Sequence, residues 1–272
     1  MIDAGRCRVA ALVIALCLCA GRASTEESQP SPGSAGLAQQ LLNPVAALIS
    51  VPFENNLDFD AGPARATSYT GNVKPVIPFS LSKGWNLITR TVVPFISTES
   101  PEFGGRRASG VGDITATFYL SPSLPTHGWY WGAGPTLIVP SASYSSIGSG
   151  KWSAGPTLAV LRQTGAWTFL AIAGHAWSFA GDPSLPAVST TVLQPTLSFT
   201  TAKDASFGID TTASYDWTSR QWTLPVELSA SQLFSIGKQS LSIGMTGRYA
   251  VRHPVDDPEW GLVLTLTLLL PK

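Results

Sequence analysis

The nine tryptophans of this 272-residue chain stand at the ends of apolar stretches and almost never in their middle. Four open stretches that follow short turns, namely Trp85, Trp129, Trp131 and Trp167, and five lie beside long polar loops, namely Trp152, Trp177, Trp217, Trp222 and Trp260. A soluble β protein buries Trp in its core, whereas a membrane-spanning barrel concentrates it where hydrocarbon meets water. The pattern predicts two membrane-interface belts.

The N-terminus has the pattern of a secretory signal peptide. Arg6 and Arg8 precede an apolar run over residues 9–20, and small residues then place a cleavage site near Ala23. The run is too short to cross a bilayer as a helix, and no later stretch of about 18 residues is uninterrupted and apolar. The predicted domains are a signal peptide (1–23), a flexible segment with a short helix (24–41) and a barrel (42–272).

Cysteine and charge content narrow the function classes. All three cysteines lie inside the predicted signal, so the exported chain has no disulfide; acylation of Cys17 or Cys19 is disfavoured because leucine precedes each. Removing residues 1–23 leaves 14 basic against 16 acidic residues, a balance that does not suggest a nucleic-acid partner. Charged residues are 12% of the chain and hydrophobic ones 44%, which suits an outer face in contact with lipid.

The rest of the chain predicts an all-β fold, a transmembrane antiparallel up-and-down barrel of about twelve strands. The predicted strands cover residues 46–53, 69–81, 85–96, 111–120, 129–139, 152–162, 167–179, 191–200, 206–217, 222–234, 241–251 and 261–270. Short and long connections alternate between them, with a short one at residues 218–221 as the exception. Because bacterial barrels have short periplasmic turns and longer outer loops, both termini are predicted to be periplasmic.

Period-two alternation supports this prediction, and proline content opposes it. Phe207 and Ile209 share one face, opposite Ser206 and Asp210, as expected for a strand between lipid and lumen. Several prolines fall inside predicted strands, although a closed barrel has no free edge for a missing N–H. Among them are Pro75, Pro78, Pro94, Pro135, Pro156, Pro195 and Pro225. Bulges or strand ends would accommodate some of them.

Five motifs stand out: LNPVAALISVPF at 42–53, WNLITRTVVPF at 85–95, GVGDI at 110–114, GKWSAGPT at 150–157 and SYDWTSRQWTLPVEL at 214–228. With them the chain resembles a family of outer-membrane barrels labelled as belonging to the MetA pathway of phenol degradation, or as transporters. The resemblance covers nearly all of the chain after residue 36 and implies a Gram-negative outer-membrane protein. One departure is the C-terminal LLLPK, which lacks the terminal aromatic that barrel-assembly machinery usually reads.

No residues predict catalysis or metal binding. His175 and Ser178 are three apart, hence on opposite faces of a regular strand, and His127 and His253 fall in a turn and a loop. The loop at residues 253–259 has the donor types of a divalent-cation site, but solvation alone accounts for most such loops. We therefore predict no catalytic residue, metal or cofactor.

Charged residues within strands are predicted to face the lumen. Folding the strands about their connections brings Lys74 and Asp113 near Arg90, and Asp210 and Arg248 near Glu227. The predicted lumen-lining residues are Lys74, Arg90, Asp113, His175, Asp210, Glu227 and Arg248.

Two interpretations of these charges stay open. A basic patch on strands two to four and an acidic patch on strands nine to eleven would impose a transverse field that favours dipolar over bulky apolar solutes. Alternatively, Arg90 is neutralised by Asp113, and Glu227 by Arg248, and the pairs only brace the wall.

Three functions remain open. The leading hypothesis is an outer-membrane channel or uptake protein for small solutes, including aromatic or hydrophobic ones. Its expected partners are membrane lipid, the solute and the barrel-assembly machinery. The alternatives are an outer-leaflet enzyme of the lipase or deacylase kind and a secreted all-β binding protein. The absence of a Ser/His pair on one face opposes the enzyme, and the Trp belts and alternating loop lengths oppose the secreted protein.

Overall fold

A computed structural model describes residues 36–62, 65–99, 107–237 and 239–270. The predicted signal peptide and the linker that follows it lie outside these residues. The described chain begins with helix α1 (Leu37–Leu41) and continues with the strands β1 (Ile49–Ala61), β2 (Ala66–Val73), β3 (Val76–Ser80), β4 (Trp85–Glu99), β5 (Arg107–Val111), β6 (Ile114–Pro122), β7 (Trp129–Val139), β8 (Lys151–Thr164), β9 (Trp167–Gly181), β10 (Ser189–Thr200), β11 (Ala205–Asp210), β12 (Ala213–Asp216), β13 (Gln221–Ile236), β14 (Gln239–Arg252) and β15 (Trp260–Leu270). A short 3₁₀ helix, Ser145–Ile147, lies between β7 and β8.

These strands form one closed antiparallel sheet. The pairs β2/β3, β5/β6 and β11/β12 are each a single interrupted strand, so the barrel has twelve wall strands. β1 closes the ring against β15, from Ile49 opposite Leu270 to Phe59 opposite Trp260. The predicted all-β, up-and-down barrel is confirmed. No helix in the described part of the chain is long and apolar enough to cross a membrane.

Interruptions in the sheet accommodate the prolines. Pro75 separates β2 from β3, Pro94 lies where the partner of β4 changes from β6 to β5, and Pro195 lies where the partner of β10 changes from β12 to β11. The others stand at gaps or register shifts of the ladder, namely Pro135, Pro156 and Pro225, or where β3 pairs with β4 alone, namely Pro78. Each missing N–H therefore falls where a ladder hydrogen bond is already absent.

The first strand is longer than predicted. The sequence predicts a strand over residues 46–53 and a loop from Glu54, but β1 continues to Ala61. In this extension Glu54, Asn56 and Asp58 line the lumen, while Leu57 and Phe59 alternate with them. Residues 54–58 have low hydropathy because they face the lumen, and a surface loop has the same low hydropathy. The sequence therefore does not distinguish the two.

The outer face of the barrel is apolar. Along β13, Val226 and Leu228 are exposed, and Leu228 leaves 62% of its surface open, whereas the alternating Glu227 and Ser229 line the interior. Leu264 and Leu266 of β15 are likewise exposed. This outward apolar band is what a lipid-embedded barrel requires.

The residues before β1, 36–48, form an N-terminal segment that packs inside the barrel. Val45 lies in a buried cluster with Ile88, Tyr119 and Ala159, which belong to the inward faces of β4, β6 and β8. Ala38 of α1 packs in a second cluster with inward residues of β13 and β15. The segment therefore fills part of the lumen. The sequence alone does not predict whether the lumen is open or plugged.

Hydrogen bonds fix this segment at the end of the barrel that carries the short turns. The Gln39 amide donates to the Gly165 carbonyl at 2.9 Å, and the Gln163 amide donates to the Gln39 carbonyl at 2.7 Å. Gly165 forms the tight turn between β8 and β9 with a φ of +57°. α1 and the end of β15 lie at this same end of the barrel.

Candidate solute site in the barrel lumen

A cavity of about 670 Å³ occupies the lumen on one side of the N-terminal segment. Its walls are the inward faces of β1, β2, β10, β11, β13, β14 and β15, which we call the charged half. The inward faces of β6 to β9 form the filled half, and β4 borders both. Eight charged side chains line the cavity: Glu54, Asp58, Lys74, Arg90, Asp210, Glu227, Arg248 and Asp257.

Strand alternation and two strand interruptions aim these side chains inward. Glu227 occupies the inward face of β13 between the outward Val226 and Leu228. Lys74 stands at the break between β2 and β3, and its N–H donates to the Pro52 carbonyl at 2.9 Å. Thr212 stands at the break between β11 and β12 and also lines the cavity.

Two of the three cations are neutralised within the charged half. The Lys74 ammonium forms an ion pair with Glu54, and the Arg248 guanidinium forms one with Asp58. These four side chains are largely buried, since their exposed fractions run from 12% to 26%. Both pairs link β1 to a neighbouring part of the wall and so brace it.

Besides Asp257, three charged groups in the cavity have no such partner. Among the described residues, no oppositely charged group lies within ion-pair distance of Arg90, Asp210 or Glu227. Asp210 and Glu227 stand directly opposite each other in the β11–β13 ladder, where like charges repel. Lys74 is close enough to interact electrostatically with both Arg90 and Glu227.

Asp257 enters the cavity from the connection between β14 and β15. The Thr223 hydroxyl donates to its carboxylate at 3.3 Å, and the Asp257 N–H donates to the Pro254 carbonyl at 3.1 Å. Burial raises the pKa of the Asp257 carboxyl above its ordinary value. With all groups ionised, five carboxylates face three cations around the cavity, which gives it a formal charge of −2.

Five of the seven residues predicted to face the lumen line this cavity: Lys74, Arg90, Asp210, Glu227 and Arg248. Their predicted pairing is wrong in part. Arg248 does stand opposite Glu227 in the β13–β14 ladder, but its ion pair is with Asp58. The sequence does not predict Asp58 as this partner, because residues 54–61 of β1 have the polar pattern of a loop.

Asp113 does not lie beside Arg90. Arg90 is opposite Thr117, whereas Asp113 stands at the break between β5 and β6. Its carboxylate accepts hydrogen bonds from the Ser149 N–H at 2.6 Å, the Ser149 hydroxyl at 2.7 Å and the Ala142 N–H at 3.3 Å. The break turns Asp113 toward the connection between β7 and β8, which it anchors.

His175 lies on the outer face of β9 and not in the lumen. It shares that face with Trp177, whose side chain is 51% exposed, and the two ring centroids are 4.1 Å apart. Its Nδ1 is 2.7 Å from the Thr191 hydroxyl, and its Nε2 is 3.4 Å from the Ser189 hydroxyl. β9 is apolar on both faces in sequence, so its alternation carried no signal for the direction of His175.

The serine near His175 is therefore Ser189 on the next strand, and not Ser178. A catalytic serine requires a base that a third group orients, most often a carboxylate. Here the group at Nδ1 is Thr191, which also accepts a hydrogen bond from the Trp217 indole at 2.9 Å. The contacts of His175 thus supply no acid to stabilise an imidazolium.

The remaining histidines have local roles. His127 has a φ of +53° in the turn before β7, and His253 Nδ1 is 2.8 Å from the Pro254 carbonyl. Within residues 36–270, apart from the short undescribed stretches, no group of three His, Cys, Asp or Glu side chains is placed to hold a metal ion.

The tryptophans lie near the two ends of the wall strands. At the short-turn end, Trp85 packs edge-on against Trp131 with centroids 5.9 Å apart, and Arg162 lies over Trp129 at 5.4 Å. At the opposite end, Trp260 stacks on Phe59 at 4.2 Å and its indole N–H donates to Asp60 at 2.9 Å. This position suits the interface belts that the sequence predicts.

A family model described as "Putative MetA-pathway of phenol degradation" matches residues 49–253. No curated protein matches the chain.

Several solved structures share the fold. An outer membrane channel from Pseudomonas putida F1 is 17% identical, with a TM-score of 0.65 over 90% of this chain and 100% of that one. The NanC porin is 10% identical, with a TM-score of 0.52 over 82% of this chain and 100% of its own. The outer membrane phospholipase A from Escherichia coli is 10% identical, with a TM-score of 0.50 over 82% of this chain and 90% of its own. At these identities the likeness shows the fold, which channels and an enzyme both use.

Proposed function

The chain belongs to the family described as "Putative MetA-pathway of phenol degradation", and we propose that it is an outer-membrane channel or uptake protein for small solutes. The observation that carries this proposal is the cavity of about 670 Å³ inside a closed barrel, lined by eight charged side chains. A barrel that served only as a scaffold would gain nothing from unpaired charges in its interior, because such charges lose hydration. The similar channel from Pseudomonas putida supports the same role.

The polar lining of the cavity favours hydrophilic over apolar solutes in this part of the lumen. Its lining is charged or hydroxyl-bearing over most of its extent, with Thr212, Thr223, Thr246 and Thr265 between the charged groups. The formal charge of −2 favours cations over anions during passage. Aromatic solutes, which the sequence also suggested, draw support from the family's description alone.

We propose no enzymatic role, although a phospholipase shares the fold. The support is chemical: the Ser189–His175 contact at 3.4 Å has no carboxylate behind it. We also propose that the short-turn end, with α1 and the end of β15, faces the periplasm, as in bacterial barrels generally.

Conductance in a planar lipid bilayer tests the proposed function. Purified protein should insert and give discrete current steps, with a reversal potential in a KCl gradient that indicates preference for K⁺. Heat-unfolded protein serves as the control. Insertion without conductance, together with no swelling of proteoliposomes in small polar solutes, would contradict the channel.

A further inference from the structure

The uncompensated charges of the cavity have opposite signs on opposite walls. Arg90 of β4 carries one positive charge that no described carboxylate neutralises, while its neighbour Lys74 is neutralised by Glu54. Across the cavity, Asp210 and Glu227 carry two negative charges on adjacent strands. The separation is a property of the fold, because these residues are fixed on three different wall strands.

The carboxylate pair needs a cation. Asp210 and Glu227 are directly opposite in the β11–β13 ladder and both face the lumen. Arg248, which stands opposite Glu227 on β14, is paired with Asp58. Two carboxylates side by side repel, and the repulsion is stronger inside a barrel than in bulk water because the local dielectric is lower. An ammonium group between them would relieve it.

Arg90 has the complementary requirement. Its guanidinium presents several N–H donors in a planar fork, which matches a carboxylate in a bidentate arrangement. Among the described residues no acceptor occupies that fork.

We propose that the cavity is a binding site for small zwitterions that carry an ammonium group at one end and a carboxylate at the other. The ammonium binds between Asp210 and Glu227, and the carboxylate binds to Arg90. The inference rests on the proposed function, since the site lies on the path that a solute would take. The ion pairs Lys74–Glu54 and Arg248–Asp58 hold the two walls but do not bind the solute.

Equilibrium binding to the purified barrel in detergent tests the proposal without requiring conduction. Three probes share a four-carbon chain: 4-aminobutyrate, butyrate and butylammonium. By calorimetry, 4-aminobutyrate should bind at least about tenfold more tightly than either singly charged probe, since it alone makes both charge-assisted contacts.

Two variants assign the ends of the solute. Arg90→Gln should weaken 4-aminobutyrate about tenfold and leave butylammonium unchanged, whereas Asp210→Asn with Glu227→Gln should abolish butylammonium binding. Arg220→Gln, at an exposed turn residue, is the matched control and should change nothing. If the double variant does not fold, Asp210→Asn alone should weaken butylammonium, with heat-modifiable gel migration as the check of folding.

The outcomes separate the two proposals. Equal affinity for the three probes, no binding of any, or an equal loss of all three on Arg90→Gln would overturn the zwitterion site. If that happens while the wild-type protein conducts, the channel stands and the site fails. Selective binding of 4-aminobutyrate by a protein that never conducts would uphold the site and contradict the channel.

Discussion

The two halves of the barrel interior are built from strands of similar length and the same antiparallel pairing, but they are occupied differently. In the filled half, Val45 of the N-terminal segment packs against Tyr119 and Ala159, and the strands are close enough to require glycine. In the charged half, α1 packs against Leu233 and Leu269 at the short-turn end, no residue of the segment lines the cavity, and ion pairs hold the wall. One sheet can thus enclose both a packed core and a polar cavity, because each strand contributes its own inward-facing residues.

The largest expected effect is steric and comes from the close approach of backbone in the filled half. A Cβ on Gly134 of β7 would lie 1.9 Å from the Phe118 carbonyl oxygen, whereas one on Gly247 of β14 would meet nothing within 4 Å. Gly134→Ala should therefore cost about 3 kcal/mol or prevent assembly, and Gly247→Ala should be nearly neutral. The folded fraction by heat-modifiable migration measures both variants. Gly247 lies on the outward face of β14 and is the control, and equal behaviour of the two variants would contradict the close backbone approach at Gly134.

The outer faces of both halves should respond alike. Leu266 of β15 and Leu158 of β8 are exposed to the lipid side, one behind the charged half and one in the filled half. Arginine at either position should cost about 2–4 kcal/mol near the midplane of the membrane. Thr223→Ser, on the inward face, is the control and should assemble normally. A large difference between the two arginine variants, measured by urea unfolding in lipid vesicles, would show that the halves differ outside as well as inside.

The sequence predicts much of the difference between the two halves, but not all of it. Alternation along residues 206–210 and 222–229 gave the correct inward faces, since each strand has one apolar and one polar face. The polar run at 54–58 concealed one partner of each of the two ion pairs in the cavity, because a lumen-facing strand and a loop have similar hydropathy. Asp113 was misplaced because its strand is interrupted, and interruptions depend on tertiary pairing that local pattern does not encode.

Removal of the N-terminal segment should make the two halves more alike. Deleting residues 36–47 takes away Val45 and the Gln39 hydrogen bonds to the β8–β9 turn. The lumen beside Tyr119 then opens, and single-channel conductance should rise several-fold. Gln39→Ala, which removes only the side-chain bonds, should raise it less. An unchanged conductance in the deletion variant would show that the segment does not limit passage.

The smallest expected effect concerns pH in the charged half. Burial raises the folded-state pKa of Asp257, so its proton favours the folded state. The stability it contributes is present below its ordinary pKa and is lost as pH rises through the raised value. Urea unfolding should therefore show a smaller decline between acid and neutral pH for Asp257→Asn than for the wild type, with the exposed Asp256→Asn as control. Identical profiles for all three proteins would contradict the assignment.

In the proposed channel, solutes and ions cross the barrel through the cavity and so move past its charged side chains. The reversal potential in a tenfold KCl gradient tests it most directly, with wild-type protein compared with Asp210→Asn combined with Glu227→Gln. We expect cation preference in the wild type and a shift toward anions in the double variant, because the formal charge of the cavity changes from −2 to zero. A reversal potential that stays the same in two conducting proteins would contradict it.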